Sequence, residues 1–223
     1  MTRDVAQVLS VNVGKPQQIA ARHGRALYSS IGKAPVAGKV RVEGVNVAGD
    51  DQADRTVHGG PDKAVYAYAS EDIAWWSETL GRELAPAAFG ENLTTTGVDV
   101  TNAVIGERWR IGTVELEVCQ PRFPCVKLGL RFGDLAMVKR FGEANRPGAY
   151  LRIATEGALQ AGDQVHITHR PSHGVTIAQV AHAVLLSDDD DELAAAAKAP
   201  ELPEKLSRWM LARAAAGAGS GAA

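Results

Sequence analysis

One thiol, two prolines and two cations fall within the run Gln120-Pro121-Arg122-Phe123-Pro124-Cys125-Val126-Lys127. The prolines fix φ and remove two backbone donors, which excludes a helix interior or a central strand. The run reads as a stiff connection leaving a strand. Cations beside a sulfur favour the thiolate, and Arg122 and Lys127 flank Cys125. A thiolate is both a nucleophile and a soft metal ligand. A lone cysteine also serves as a small buried hydrophobe, but the prolines and flanking cations favour chemistry at Cys125.

Three further segments carry chemical groups. Asp54-Arg55-Thr56-Val57-His58-Gly59-Gly60-Pro61-Asp62-Lys63 combines acids, cations, an imidazole and adjacent glycines. Backbone N–H groups beside paired glycines approach an anion closely, and Arg55, His58 and Lys63 are suited to a phosphate. Phe89-Gly90-Glu91-Asn92-Leu93-Thr94-Thr95-Thr96-Gly97 offers the Asn92 amide and three hydroxyls, which suit the edge of a heterocycle. Ser29-Ser30-Ile31-Gly32-Lys33-Ala34-Pro35 offers Lys33 to a phosphate, without the spacing of a Walker A loop. Each competes with a plainer reading as a solvated turn, an Asn-centred turn entering a strand, or a surface lysine. His23, His166, His169, His173 and His182 show no ligand spacing. Serine-hydrolase and dinucleotide fingerprints are absent.

The elements that must position these groups read mainly as strands. Residues 5–13, 26–31, 39–47, 63–69, 149–154 and 164–168 are short, β-branched or aromatic, and bounded by turn residues. Residues 108–118 read as a hairpin about Gly112-Thr113. There Val114, Leu116 and Val118 alternate with Glu115, Glu117 and Cys119, which puts Cys119 on the wet face. One helix interrupts the strands, with Ser70 as N-cap, Glu71 and Asp72 in its first turn and Gly81 after its end. Many short strands with few helices predict a barrel or folded sheet.

The character changes after His169-Arg170-Pro171. Thr176 and Gln179 form a capping box, Ser187 and the acids Asp188 to Glu192 open a second helix, and Pro203 opens a third. This predicts a β-domain over 1–170, a three-helix domain over 171–216 and a disordered tail over 217–223. The helical part is expected to pack on the barrel or on a partner subunit, which leaves a homodimer open.

The chain has 223 residues, 45% apolar, with net charge −2. That charge gives no general pull toward nucleic acid or anionic lipid, and no apolar run approaches the ~20 residues of a membrane span. Two cysteines and no signal-peptide pattern predict a reducing compartment, the cytoplasm. A Cys119–Cys125 disulfide would have to bridge a proline-rich turn, and the spacing suits no zinc site.

These motifs occur in the same order in a known family. The chain resembles the MOSC domain proteins, named for the C-terminal domain of molybdenum cofactor sulfurase, in their YiiM-like branch. The residues carrying this are Ile31 to Val36, Gly49-Asp50 with Gln52 to Arg55, His58 to Tyr66, Gly90 to Thr95, and Gln120-Pro121-Arg122 with Pro124-Cys125. The resemblance covers about residues 1–170 and extends to the helical segment. It implies a mainly antiparallel β-barrel with a few helices and a small helical domain. It also implies a molybdenum cofactor, Mo-molybdopterin, ligated by Cys125, and reduction of N-hydroxylated compounds, including hydroxylaminopurine-like bases, to amines.

The cofactor's phosphate would call on Lys33, Arg55, His58 and Arg122, and its pterin on Asn92 and Thr94. His58 or Asp54 would deliver protons. With no iron–sulfur cysteine motif or nucleotide fingerprint, electrons would come from a separate reductase, a flavin or iron–sulfur protein. A small-molecule substrate is expected, and no nucleic acid or membrane partner. Two alternatives stay open: a sulfur carrier holding a persulfide on Cys125, and a non-catalytic molybdopterin-binding or delivery protein.

Overall fold

The computed structural model describes residues 5–22, 25–53 and 59–220, with backbone alone at 21, 22, 25 and 218–220. In chain order the strands are β1 (Gln7–Val13), β2 (Gln17–Arg22), β3 (Arg25–Ser29), β4 (Ala34–Pro35), β5 (Val40–Glu43) and β6 (Asn46–Val47). A 3-10 turn at Pro61–Lys63 leads into β7 (Val65–Ala69), helix α1 (Ser70–Leu80) and β8 (Leu93–Thr96). Then come β9 (Arg108–Ile111), β10 (Val114–Pro121), α2 (Val126–Phe132), α3 (Met137–Glu143), β11 (Ala149–Thr155), β12 (Gly157–Leu159) and β13 (Val165–His169). Helices α4 (Ile177–Leu185), α5 (Asp190–Ala196) and α6 (Glu204–Ser220) follow.

The fold is mainly β with helices. Its main sheet has the order β13-β9-β10-β11-β7-β8-β1-β4. All pairs are antiparallel except β7 with β8, which α1 connects. Among the described residues no continuous ladder closes the sheet. Its ends are stitched by an antiparallel bridge, Gln7 to Gln164. Around it, Val8 N–H donates to the Asp163 carbonyl (2.9 Å) and Val165 N–H to Ala6 (2.8 Å).

The 108–118 hairpin forms as its alternation predicts. Ile111 pairs with Val114 and Trp109 with Leu116, and all four are fully buried. Cys119 departs from expectation, because it is fully buried. It shares the glutamate face of β10, but the Pro61–Lys63 turn covers that end: Cys119 Sγ donates to the Asp62 carbonyl at 3.1 Å. Burial pushes its thiol up.

Helix α1 ends as predicted, with Gly81 in the left-handed region at φ 62°. Its N-cap is Ala69 rather than Ser70. The expectation of one helix among the strands is corrected by α2 and α3. Each has seven residues, too short to show two turns of apolar periodicity. The capping box at Thr176 and Gln179 is complete: Gln179 N–H donates to Thr176 Oγ1 (3.2 Å) and Thr176 N–H to Gln179 Oε1 (2.8 Å). Helix α6 continues to Ser220, beyond the expected tail boundary at 217, because its alanines are strong helix formers. Gly217 allows this end to pack, since a Cβ there would lie 2.0 Å from Asp190 Oδ2.

Two apolar clusters hold the molecule. The larger joins the sheet to α4–α6, with Trp109, Leu116 and Leu151 in one continuous core with Ile177, Val180, Leu193 and Met210. The smaller is aromatic: Tyr66, Tyr68, Trp76, Phe89 and Phe141 with Leu128 and Met137. Tyr68 stacks on Phe89 at 4.5 Å between ring centroids, and Trp76 Nε1–H donates to Tyr68 Oη at 2.9 Å. Such rings each contribute roughly 1.5–3 kcal/mol by burial, and they fix the wall on which the cleft below is built.

Candidate functional site

Chain leaving β10 runs through Arg122, Phe123 and Pro124 to Cys125, which flanks the start of α2 in an extended conformation (φ −142°). Proline at 121 ends the ladder and proline at 124 directs the chain outward. Cys125 is a free, half-buried thiol that makes no capping hydrogen bond. It opens into a cleft of about 700 Å³, including the solvent at its mouth. The 29–33 segment, residues 50–53, Phe89-Gly90 and Asn92 form other walls, together with Lys63, Tyr66, Lys127 and Tyr150.

Arg122 is the buried cation of this cleft, 6% exposed. Its guanidinium donates to the Phe89 carbonyl and lies over the Tyr66 ring at 5.1 Å and the Phe141 ring at 5.7 Å. Among the described residues no carboxylate pairs with it. Burial works against its charge, while Tyr66, Tyr150 and Cys125 around it hold the guanidinium protonated. A buried guanidinium held by a carbonyl and aromatic faces is suited to a negatively charged partner.

Lys33 reaches the same cleft but is ion-paired with Asp50; their side chains are 9% and 3% exposed. Burial pushes the Lys33 ammonium down, and the Asp50 carboxylate opposes that. Asp50 also accepts from Gly14 N–H (2.7 Å) and from Asn92 Nδ2 (2.9 Å). Asn92 lines the cleft with its amide already engaged: Nδ2 also donates to the Asn12 carbonyl (3.2 Å), and Oδ1 accepts from Tyr66 N–H (3.1 Å). Thr94 does not line the cleft. It is fully buried, accepts from Asn12 Nδ2 (3.1 Å) and donates to Glu91 Oε1 (2.9 Å). Of the two groups expected to meet a pterin, Thr94 therefore belongs to a scaffold behind the site, and Asn92 lines the cleft with its amide held by that scaffold.

Glu91 anchors that scaffold. Its carboxylate is fully buried and accepts from Ala87 N–H (2.6 Å) and Phe89 N–H (3.1 Å), holding the turn in which Ala87 has φ 68°. Burial raises its pKa; the Thr94 and backbone donors offset part of this. A folded-state pKa above the unfolded one stabilises most at low pH, and the contribution is lost as pH rises through the folded value. Glu91→Gln does not titrate. The stability of the wild type relative to Glu91→Gln is therefore expected to fall as pH rises above the ordinary carboxylate range, measured by urea unfolding. A difference independent of pH would contradict this account of Glu91.

The structure thus brings Cys125, Arg122, Lys33 and Asn92 to one cleft and leaves Thr94 behind it. Asp54, Arg55 and His58 lie outside the described residues. Sequence reasoning gave no role to Ser30, Asp50, Tyr66 or Tyr150. Ser30 Oγ is buried and has no hydrogen-bond partner among the described residues. Tyr66 spends its hydroxyl on the Pro147 carbonyl (2.8 Å) and packs on Tyr150 at 5.0 Å. Asp50 and Tyr66 fall within the motifs that carried the resemblance, whereas Tyr150 gave no local signal.

A mainly β chain with this cysteine cleft has clear relatives. The MOSC domain model matches residues 54–166. YflK of Bacillus subtilis (strain 168) is 39% identical over 177 residues, covering 79% of this chain and 80% of that protein. The crystal structure of YiiM from Geobacillus stearothermophilus superposes with a TM-score of 0.77 at 29% identity, covering 94% of this chain and 99% of that one. A Gibberella moniliformis protein named Reductase is 33% identical over 168 residues, which are 74% of this chain and 29% of that protein. The chain belongs to the MOSC domain family. No helix among the described residues is long and apolar enough to cross a membrane.

Proposed function

We propose that this chain is a molybdenum-cofactor-dependent reductase of small N-hydroxylated compounds, with Cys125 as the protein's ligand to the metal. The observation that carries the reading is the composition of the cleft: one free thiol beside a buried arginine that has no carboxylate partner among the described residues. The residues present fit the cofactor. Cys125 offers the soft ligand, Arg122 and Lys127 offer charge for the phosphate, and the Ser30 hydroxyl, unpartnered among the described residues, offers a hydrogen bond. When bound, the cofactor supplies the two-electron chemistry. The protein's own groups orient and screen: Arg122 balances negative charge, and Tyr66, Phe89 and Tyr150 give the cleft flat apolar walls. In this reading His58 and Asp54 deliver protons, and a separate flavin or iron–sulfur reductase delivers electrons. The net change is R–NHOH plus two electrons and two protons to R–NH2 plus water.

The name of the fungal relative, Reductase, supports the reading. The test uses protein from a host that makes molybdopterin, reduced methyl viologen as donor and 6-hydroxylaminopurine as substrate. Adenine formation followed by mass spectrometry is the expected result. No adenine, with an added sulfur mass on Cys125 after incubation with a cysteine desulfurase, would replace the reductase with a persulfide carrier.

A further inference from the structure

We infer that the Tyr150 hydroxyl is a catalytic donor of the Cys125 cleft, which hydrogen-bonds the oxygen of the substrate's N–OH group and so selects hydroxylamino compounds over their amines. This rests on the reductase reading above. Tyr150 is the second residue of β11 and stands directly opposite Tyr66 on β7 and Gln120 on β10. The preceding glycine sets that placement. Gly148 has φ 63°, and a Cβ there would lie 2.6 Å from the Ala67 carbonyl oxygen and 2.9 Å from Tyr66 Cε2. Only glycine lets β11 begin this close to β7. The Tyr66 and Tyr150 rings then pack with centroids 5.0 Å apart.

Three tyrosines meet in this aromatic wall, and two of them have spent their hydroxyls. Tyr66 Oη donates to the Pro147 carbonyl at 2.8 Å. Tyr68 Oη donates to the Arg146 carbonyl at 2.8 Å and accepts from Trp76 Nε1 at 2.9 Å. Tyr150 is half-buried and lines the cleft, yet its hydroxyl makes no hydrogen bond among the described residues. Enclosed phenols ordinarily hold a partner. This one is free to bond what enters the cleft.

Its neighbours decide what it suits. Arg122 and Cys125 line the same cleft, and both act electrostatically on the phenol. Burial pushes the Tyr150 hydroxyl up, and the Arg122 charge opposes this only in part. The phenol therefore keeps its proton at neutral pH and acts as a donor. A fixed donor beside a cation and the candidate metal ligand suits an oxygen that gains negative charge during reaction. The N–OH oxygen is such an atom, because charge builds on it as the N–O bond breaks. The amine product lacks that oxygen and forfeits the bond. Tyr150 retains its own proton throughout, so the two protons and two electrons of the net change come from the sources already given.

The test uses holoprotein from a host that makes molybdopterin. It compares wild type with Tyr150→Phe, which removes only the oxygen, and with Tyr68→Phe, whose hydroxyl lies outside the cleft. Calorimetry without a reductant measures binding of 6-hydroxylaminopurine and of adenine. Wild type is expected to bind the hydroxylamino compound about tenfold more tightly, and Tyr150→Phe to bind the two alike. With reduced methyl viologen, kcat of Tyr150→Phe should fall about tenfold or more while molybdenum per chain stays at the wild-type level. Tyr68→Phe should keep turnover within about twofold and lose stability instead. Equal binding of the two purines by wild type, or a preference and kcat that survive in Tyr150→Phe, would overturn the proposal. Loss of molybdenum from Tyr150→Phe would also overturn it, by assigning the hydroxyl to the cofactor. A wild type with no viologen-driven turnover would count against the reductase reading instead, and the binding preference would still decide the role of the hydroxyl.

Discussion

Cys125→Ala is expected to lower reduction of N-hydroxylated compounds by more than about 10²-fold while the fold stays intact. Loss of a ligand exceeds the roughly 10–100-fold effects typical of groups that only orient ligands. The stability side follows from placement. Cys125 belongs to neither apolar cluster and makes no capping bond. Removing its sulfur leaves no cavity in a packed core, so the change in unfolding free energy should stay within about 1 kcal/mol. The measurement pairs viologen-driven turnover with urea unfolding. Retained turnover would remove Cys125 from the chemistry. Lost turnover with a large loss of stability would show that the cysteine is structural.

Asp50→Ala should have the largest effect on stability. Asp50 is the shared acceptor for Gly14 N–H, Asn92 Nδ2 and Lys33. Removing it strands a buried ammonium and two donors. Breaking a buried pair from one side costs about 3–5 kcal/mol, because the remaining charge has lost its compensation. Replacing both partners, as in Lys33→Met/Asp50→Leu, should recover much of that loss, since no buried charge is left over. Urea unfolding of wild type, single and double variants checks this. A loss below about 1 kcal/mol in Asp50→Ala would mean that water solvates Lys33 through the cleft.

The parts of this molecule legible in its sequence are those set by local rules. The 108–118 hairpin follows from period-two alternation about Gly112-Thr113, and α4 begins where Thr176 and Gln179 form their box. The prolines at 121 and 124 correctly marked a connection between a strand and something else. Tertiary facts were not legible. Cys119 alternates with glutamates and would be wet on the strand alone, but a turn distant in sequence covers it. Arg122 reads as a cation flanking a thiol, yet the aromatic cluster encloses it. Asn92 and Thr94 read as ligand-facing amide and hydroxyl. Their hydrogen-bonding capacity is spent on Asp50, Asn12 and Glu91, and nothing local could reveal those partners. The short α2 and α3 carry too few turns for their periodicity to emerge, although α2 contributes Lys127 to the cleft wall.

The most direct measurement is molybdenum per chain, by metal mass spectrometry, on wild type and Cys125→Ser purified gently from a host that makes molybdopterin. Near-stoichiometric molybdenum in the wild type, strongly reduced in Cys125→Ser, is the predicted result. Wild type with neither molybdenum nor pterin, or equal molybdenum in both proteins, would contradict Cys125 as the metal ligand.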